Sequence, residues 1–71
     1  MATTHTRRAD FLVSREGLSL VLVRPRTVAA RAWLQDHTDG TWFAGALVVE
    51  PRYVEPLLVG AAEEGFRSEV Q

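Results

Sequence analysis

The sequence predicts a small single-domain α+β fold. Strands and helices follow the order β-β-α-β-α-β, with a three- to four-stranded sheet and two helices mainly on one face. Three observations carry that expectation. Residues 41–51, TWFAGALVVEP, hold an apolar run with no charge before Glu50, as in a strand buried on both faces. Residues 30–37 and 54–61 repeat apolar side chains at i, i+3, i+4 and i+7, the stripe of a short amphipathic helix. Gly17, Pro25, Gly40, Pro51 and Gly65 punctuate the joints,.

Taken in order, residues 1–9 are polar and small and predict a flexible N-terminal arm, leaving 10–71 as the domain,. Phe11-Leu12-Val13 opens a first strand, and Arg15-Glu16-Gly17 makes a turn in which Gly17 supplies a positive φ,. Residues 18–24 return as a second strand, with Leu18, Leu20 and Leu22 on one face and Ser19, Val21 and Val23 on the other,. Pro25 ends that strand because it has no N–H for a ladder,. Thr27 is a good N-cap for a helix over 28–37, whose inner stripe is Ala30, Trp33, Leu34 and His37,. Gly40 is the expected left-handed residue after it.

The next strand is expected to run unbroken over 41–49. Trp42, Ala44, Ala46 and Val48 would share one face; Phe43, Gly45, Leu47 and Val49 would share the other,. A helix beginning at Pro51 would place Pro56 in its interior, at a cost of about 3 kcal/mol. Residues 51–55 are therefore expected to form a turn, with Pro56 at the first position of a helix over 56–64 and Val54, Leu57, Leu58 and Ala61 facing inwards,. Gly65 ends that helix, and residues 66–70 alternate as a wetter edge strand,.

Composition narrows the function. Seventy-one residues make one domain, and a chain this short buries only about 60% of its unfolded surface. No cysteine is present to supply a disulfide or a thiolate metal site,. A net charge of −1 gives no general attraction to nucleic acid or anionic lipid,. No apolar run reaches the roughly 18 residues of a membrane span, and the N-terminus lacks the apolar core of a secretory signal. A cytoplasmic protein is expected. Arg supplies all eight basic residues, with Lys, Ile and Asn absent, a composition typical of a GC-rich bacterial or phage genome.

No residue set reads as catalytic or metal-binding. Asp36-His37-Thr38-Asp39 is the one local cluster of ligand types, but neighbours at a helix end point in different directions. His37 is expected to tether to a loop carbonyl instead. Ser14, Ser19 and Ser68 have no neighbouring His or Asp, and the glycines form no phosphate-binding pattern,. A protein without enzymatic activity or cofactor is expected.

The functional expectation comes from counting surfaces. Two short helices shelter one face of a sheet, yet the middle strands are apolar on both. Leu18, Leu20, Leu22, Phe43, Leu47 and Val49 are expected to meet the helices. That leaves Val21, Val23, Trp42, Ala44, Ala46 and Val48 as an uncovered interface for a second copy or another protein. The alternative is a nucleic-acid-binding accessory protein using Arg24, Arg26 and Arg31. Residues 1–34 carry six Arg against two acids (+4) and residues 35–71 two Arg against seven acids (−5). That polarity suits either an anion patch or self-docking.

Overall fold

The computed structural model describes residues 8–17 and 19–71. The expected arm falls on residues 1–7 for the most part, and these lie outside the described residues, as does Leu18. The rest is an α+β domain with the order β-β-α-β-β-α-β: β1 (Phe11–Glu16), β2 (Leu20–Pro25), α1 (Val28–His37), β3 (Trp42–Phe43), β4 (Ala46–Val49), α2 (Pro51–Glu63) and β5 (Ser68–Val70). The five strands form one mixed sheet in the order β3-β4-β2-β1-β5. β1 and β2 make the expected antiparallel hairpin around Gly17, which has φ +75°. β5 runs parallel to β1 at one edge, and β4 runs antiparallel to both β2 and β3.

The unbroken strand over 41–49 does not form. The chain reverses inside it, at Ala44 (φ 51°) and Gly45 (φ 82°), so that Trp42 pairs with Leu47 and Phe43 with Ala46. Two consecutive positive φ values are the signature of the tight two-residue hairpin whose twist matches its strands. Gly45 adopts its conformation freely, and Arg24 holds the reversal by donating from Nη1 to the Ala44 carbonyl,. The sheet therefore gains a fifth strand, and its centre is β2, not the 42–49 segment.

That reversal also changes which side chains share a face. Opposite residues in a ladder point the same way, so Trp42 joins Leu47 and Val49, while Phe43 joins Ala46 and Val48. The register Val13↔Val23 and Val21↔Val49 aligns Phe11, Val13, Val21, Val23, Leu47 and Val49 on one side. Both helices lie there, contributing Ala30, Leu34 and Ala61 to the same buried cluster, with Trp33, Trp42, Val54, Leu57, Leu58 and Phe66 around it. The expected assignment of faces is thus inverted for Leu20, Val21, Leu22, Val23, Trp42 and Phe43, while it holds on β4, where Leu47 and Val49 meet the helices and Ala46 and Val48 do not. Val21 and Val23 are 3% and 0% exposed beneath the helices.

The helix ends show why these segments fold locally. Thr27 caps α1 as expected, its Oγ1 accepting from the Ala30 N–H at 3.0 Å. The exit of α1 departs from the sequence reading. Thr38 closes it, donating from N and Oγ1 to the Leu34 carbonyl, and Gly40 has no positive φ. Gly40 serves proximity instead: a Cβ there would meet Leu47 Cδ1 at 2.8 Å. α2 begins at Pro51 and runs through Pro56 without the predicted turn. Its first turn is closed by Tyr53 N–H to the Glu50 carbonyl at 2.9 Å. Pro56 has no N–H to offer the Arg52 carbonyl four residues before it, and both residues are exposed,. At the other end Gly65 has φ +90°, with Gly65 N–H bonding the Ala62 carbonyl and Phe66 N–H that of Ala61. This is the paired bonding of a left-handed glycine cap, as the sequence predicts.

Candidate interaction surface

The face of the sheet opposite the helices is built by alternation. On β1 it receives Leu12, Ser14 and Glu16; on β2, Leu20, Leu22 and Arg24; on the hairpin, Phe43, Ala46 and Val48; on β5, Glu69. Ladder pairs Ser14↔Leu22, Glu16↔Leu20 and Leu22↔Val48 set these side chains beside one another. Leu20 is 44% exposed and Phe43 65%, with Leu12, Leu22 and Val48 half-buried. Glu16, Leu20, Leu22, Thr41, Phe43 and Val48 line a shallow hollow of about 380 Å³ on this face.

Of the six residues expected at the interface, the structure places only Ala46 and Val48 here. Val21, Val23 and Trp42 face the helices, and Ala44 sits in the turn. Ala46 is itself fully buried, at the end of β4 crossed by the Arg24 side chain on its way to the Ala44 carbonyl. Sequence reasoning missed Leu20, Leu22 and Phe43. Gly45 was the available signal, since an isolated glycine within a strand pattern marks a local break.

The three candidate anion-binding arginines are not gathered at one point. Arg24 lies on the helix-free face, engaged with Ala44. Arg31 projects from α1 over the Trp42 ring, 5.2 Å from its centroid, on the helix side. Arg26 is exposed at the joint between β2 and α1, its N–H bonded to the Asp10 carbonyl at 2.7 Å.

A second cleft, of about 400 Å³, opens on the helix side between the end of α1 and the start of α2, lined mainly by Thr38, Gly40, Leu47, Val49, Tyr53 and Leu57. Its one ionisable carboxylate, Glu50, is paired with Arg52 at 3.0 Å on the surface. His37 directs Nδ1 to the Trp33 carbonyl at 2.9 Å and stacks on the Trp33 ring at 4.4 Å. Its tether is thus a carbonyl of its own helix and not of a loop. Among the described residues no three His, Cys, Asp or Glu side chains converge as a metal site, and no helix is long and apolar enough to cross a membrane. No family model, curated protein or solved structure matches this chain.

Proposed function

We propose that this protein is a non-catalytic interaction module that works by burying the helix-free face of its sheet against a second copy of itself. One observation carries the reading: Leu20, Leu22, Phe43 and Val48 form an apolar strip across β2, β4 and β3 on the side where neither helix lies. Antiparallel sheets tolerate one wet face, but that face then alternates to polar side chains. Here the polar side chains border the strip, with Ser14 opposite Leu22 on β1, Glu16 and Arg24 at the two ends and Glu69 on the edge strand.

Size supports a self-partner of moderate affinity. With strands about 4.8 Å apart and residues about 3.4 Å apart, the strip and its margins span roughly 20 Å by 20 Å. Two such faces together bury about 800 Å², below the standard range of stable interfaces and in that of weak, transient ones. Association at micromolar concentration is the expected regime, because translational and rotational freedom consumes much of the apolar gain.

Sedimentation equilibrium from about 1 to 100 µM tests the reading, a range chosen around micromolar affinity. The parent chain should pass from monomer to dimer. Leu20→Lys and Phe43→Lys, at the two most exposed positions of the strip, should remain monomeric and folded. A parent chain that stays monomeric throughout the range overturns the reading.

A further inference from the structure

The charges around the strip fix how the two copies lie. Arg24 and Glu16 occupy the same face but opposite ends of it: Glu16 pairs with Leu20 at the β1–β2 turn, and Arg24 pairs with Leu12 at the other end. Four residue steps along β2 take the chain from Leu20 to Arg24, about 14 Å. Glu50, which directly follows β4, lies at the Glu16 end, since Val49 pairs with Val21. The face is therefore basic at one end of its central strand, acidic at the other, and apolar between. Glu69 is the exception; it lies at the Arg24 end, but on the edge strand two positions away from β2.

Face-to-face packing about a two-fold axis lying between the sheets has two simple solutions. If the axis runs along the strands, the strands of both copies point the same way. Arg24 then approaches Arg24 of the second copy, and Glu16 approaches its own counterpart. If the axis runs across the strands, each copy's basic end lies over the other's acidic end. Sheets stack about 10 Å apart, a gap that an Arg and a Glu side chain reach across together. Arg24 is exposed, and its bond to Ala44 uses one of five guanidinium N–H donors,. Like charges opposed at an interface are strongly disfavoured, whereas complementary ends set register and orientation.

Resting on the self-association proposed above, we infer that the dimer axis crosses the strands, so that Arg24 of each copy meets Glu16 of the other. The dimer then carries two equivalent ion pairs flanking the apolar strip, one at each end.

Charge reversal distinguishes the two axes. Dimer dissociation constants are measured by sedimentation for the parent, Arg24→Glu, Glu16→Arg and the double variant, with far-ultraviolet circular dichroism confirming the fold of each. With the axis across the strands, either single reversal sets like charges together twice and weakens association by about tenfold or more. The double variant recovers most of the parent affinity. Should a reversal variant not fold, Arg24→Gln and Glu16→Gln are compared instead; each must weaken the dimer. A parent that dimerises while the single variants bind as tightly, or while the double variant is no better than the singles, overturns the orientation and leaves self-association standing. A monomeric parent removes both.

Discussion

Leu47 Cδ1 lies 2.8 Å from the place a Cβ on Gly40 would occupy. Leu47 is almost wholly buried between sheet and helices, so an added methyl must displace a packed side chain. Gly40→Ala should therefore destabilise the domain by about 1–3 kcal/mol, the usual range for overpacking a filled core. Gly60 provides the contrast. A Cβ there meets only the Trp33 ring, at 3.8 Å, and the residue sits inside α2. Gly60→Ala should stabilise by about 0.5–1 kcal/mol through helix propensity. Urea denaturation of the two variants checks both signs; Gly40→Ala as stable as the parent would mean the Leu47 packing is looser than described.

Ala44 is the one non-glycine described residue with positive φ, at 51°. A Cβ in that conformation costs about 1–2 kcal/mol against a right-handed one. Asn tolerates it better, and Asn-Gly is the preferred pair for this turn. Ala44→Asn should raise stability by about 0.5–1 kcal/mol, within the range seen for relieving such strain. Thermal unfolding followed by circular dichroism reads the gain. Lower stability would show that the methyl group of Ala44 makes a contact that outweighs the strain.

How far the sequence carried depended on where local rules and tertiary packing agree. The start and span of α1 were legible, though not how it ends, because the Thr27 cap and the Ala30, Trp33, Leu34 stripe both follow from helix geometry alone. Gly65 was legible for the same reason. Residues 42–49 were not. Period-two alternation runs straight through Ala44-Gly45, since neither residue is polar and Ala is an unusual choice for a left-handed turn position. One missed reversal moved Trp42 from the supposed outer face to the inner one and Phe43 the other way. The choice between the Val21/Val23 and Leu20/Leu22 faces of β2 had no local signal at all. It is decided by register against Phe11 and Val13, which only pairing reveals. What survived is the reason for expecting an uncovered face: two helices on one side of the sheet, and apolar side chains on both.

Pro56 illustrates a rule applied too strictly. The expectation that α2 could not contain it rested on the hydrogen bond lost to the Arg52 carbonyl. α2 nevertheless starts at Pro51, because Val54, Leu57, Leu58 and Ala61 then share one inward face. Pro56 should still carry part of its cost. Pro56→Ala restores an N–H four residues after Arg52 and should stabilise the domain by about 1–2 kcal/mol, somewhat less than the full interior penalty. The gain should appear in urea denaturation, with the new amide at residue 56 protected from exchange as its neighbours in α2 are. An unstable Pro56→Ala variant would mean the proline ring itself packs against the fold.

Asp10 joins three parts of the chain that are distant in sequence. Its carboxylate accepts from the Arg67 N–H at 2.8 Å, its own N–H donates to the Arg67 carbonyl at 2.8 Å, and its carbonyl accepts from the Arg26 N–H at 2.7 Å. The entry to β1, the exit from β2 and the approach to β5 are thus pinned at one residue, which is itself buried. Removing the side chain leaves the backbone bonds possible but takes away the acceptor for Arg67. Asp10→Ala should cost about 1–3 kcal/mol, the range for losing a hydrogen bond to a charged group. Asp10→Asn keeps an acceptor oxygen and should cost less. Hydrogen exchange separates this local role from general destabilisation: in Asp10→Ala the amides of residues 67–70 should lose protection before those of β2. Uniform loss across the whole sheet would instead mean that Asp10 supports the fold as a single cooperative unit and that β5 has no separate anchor there.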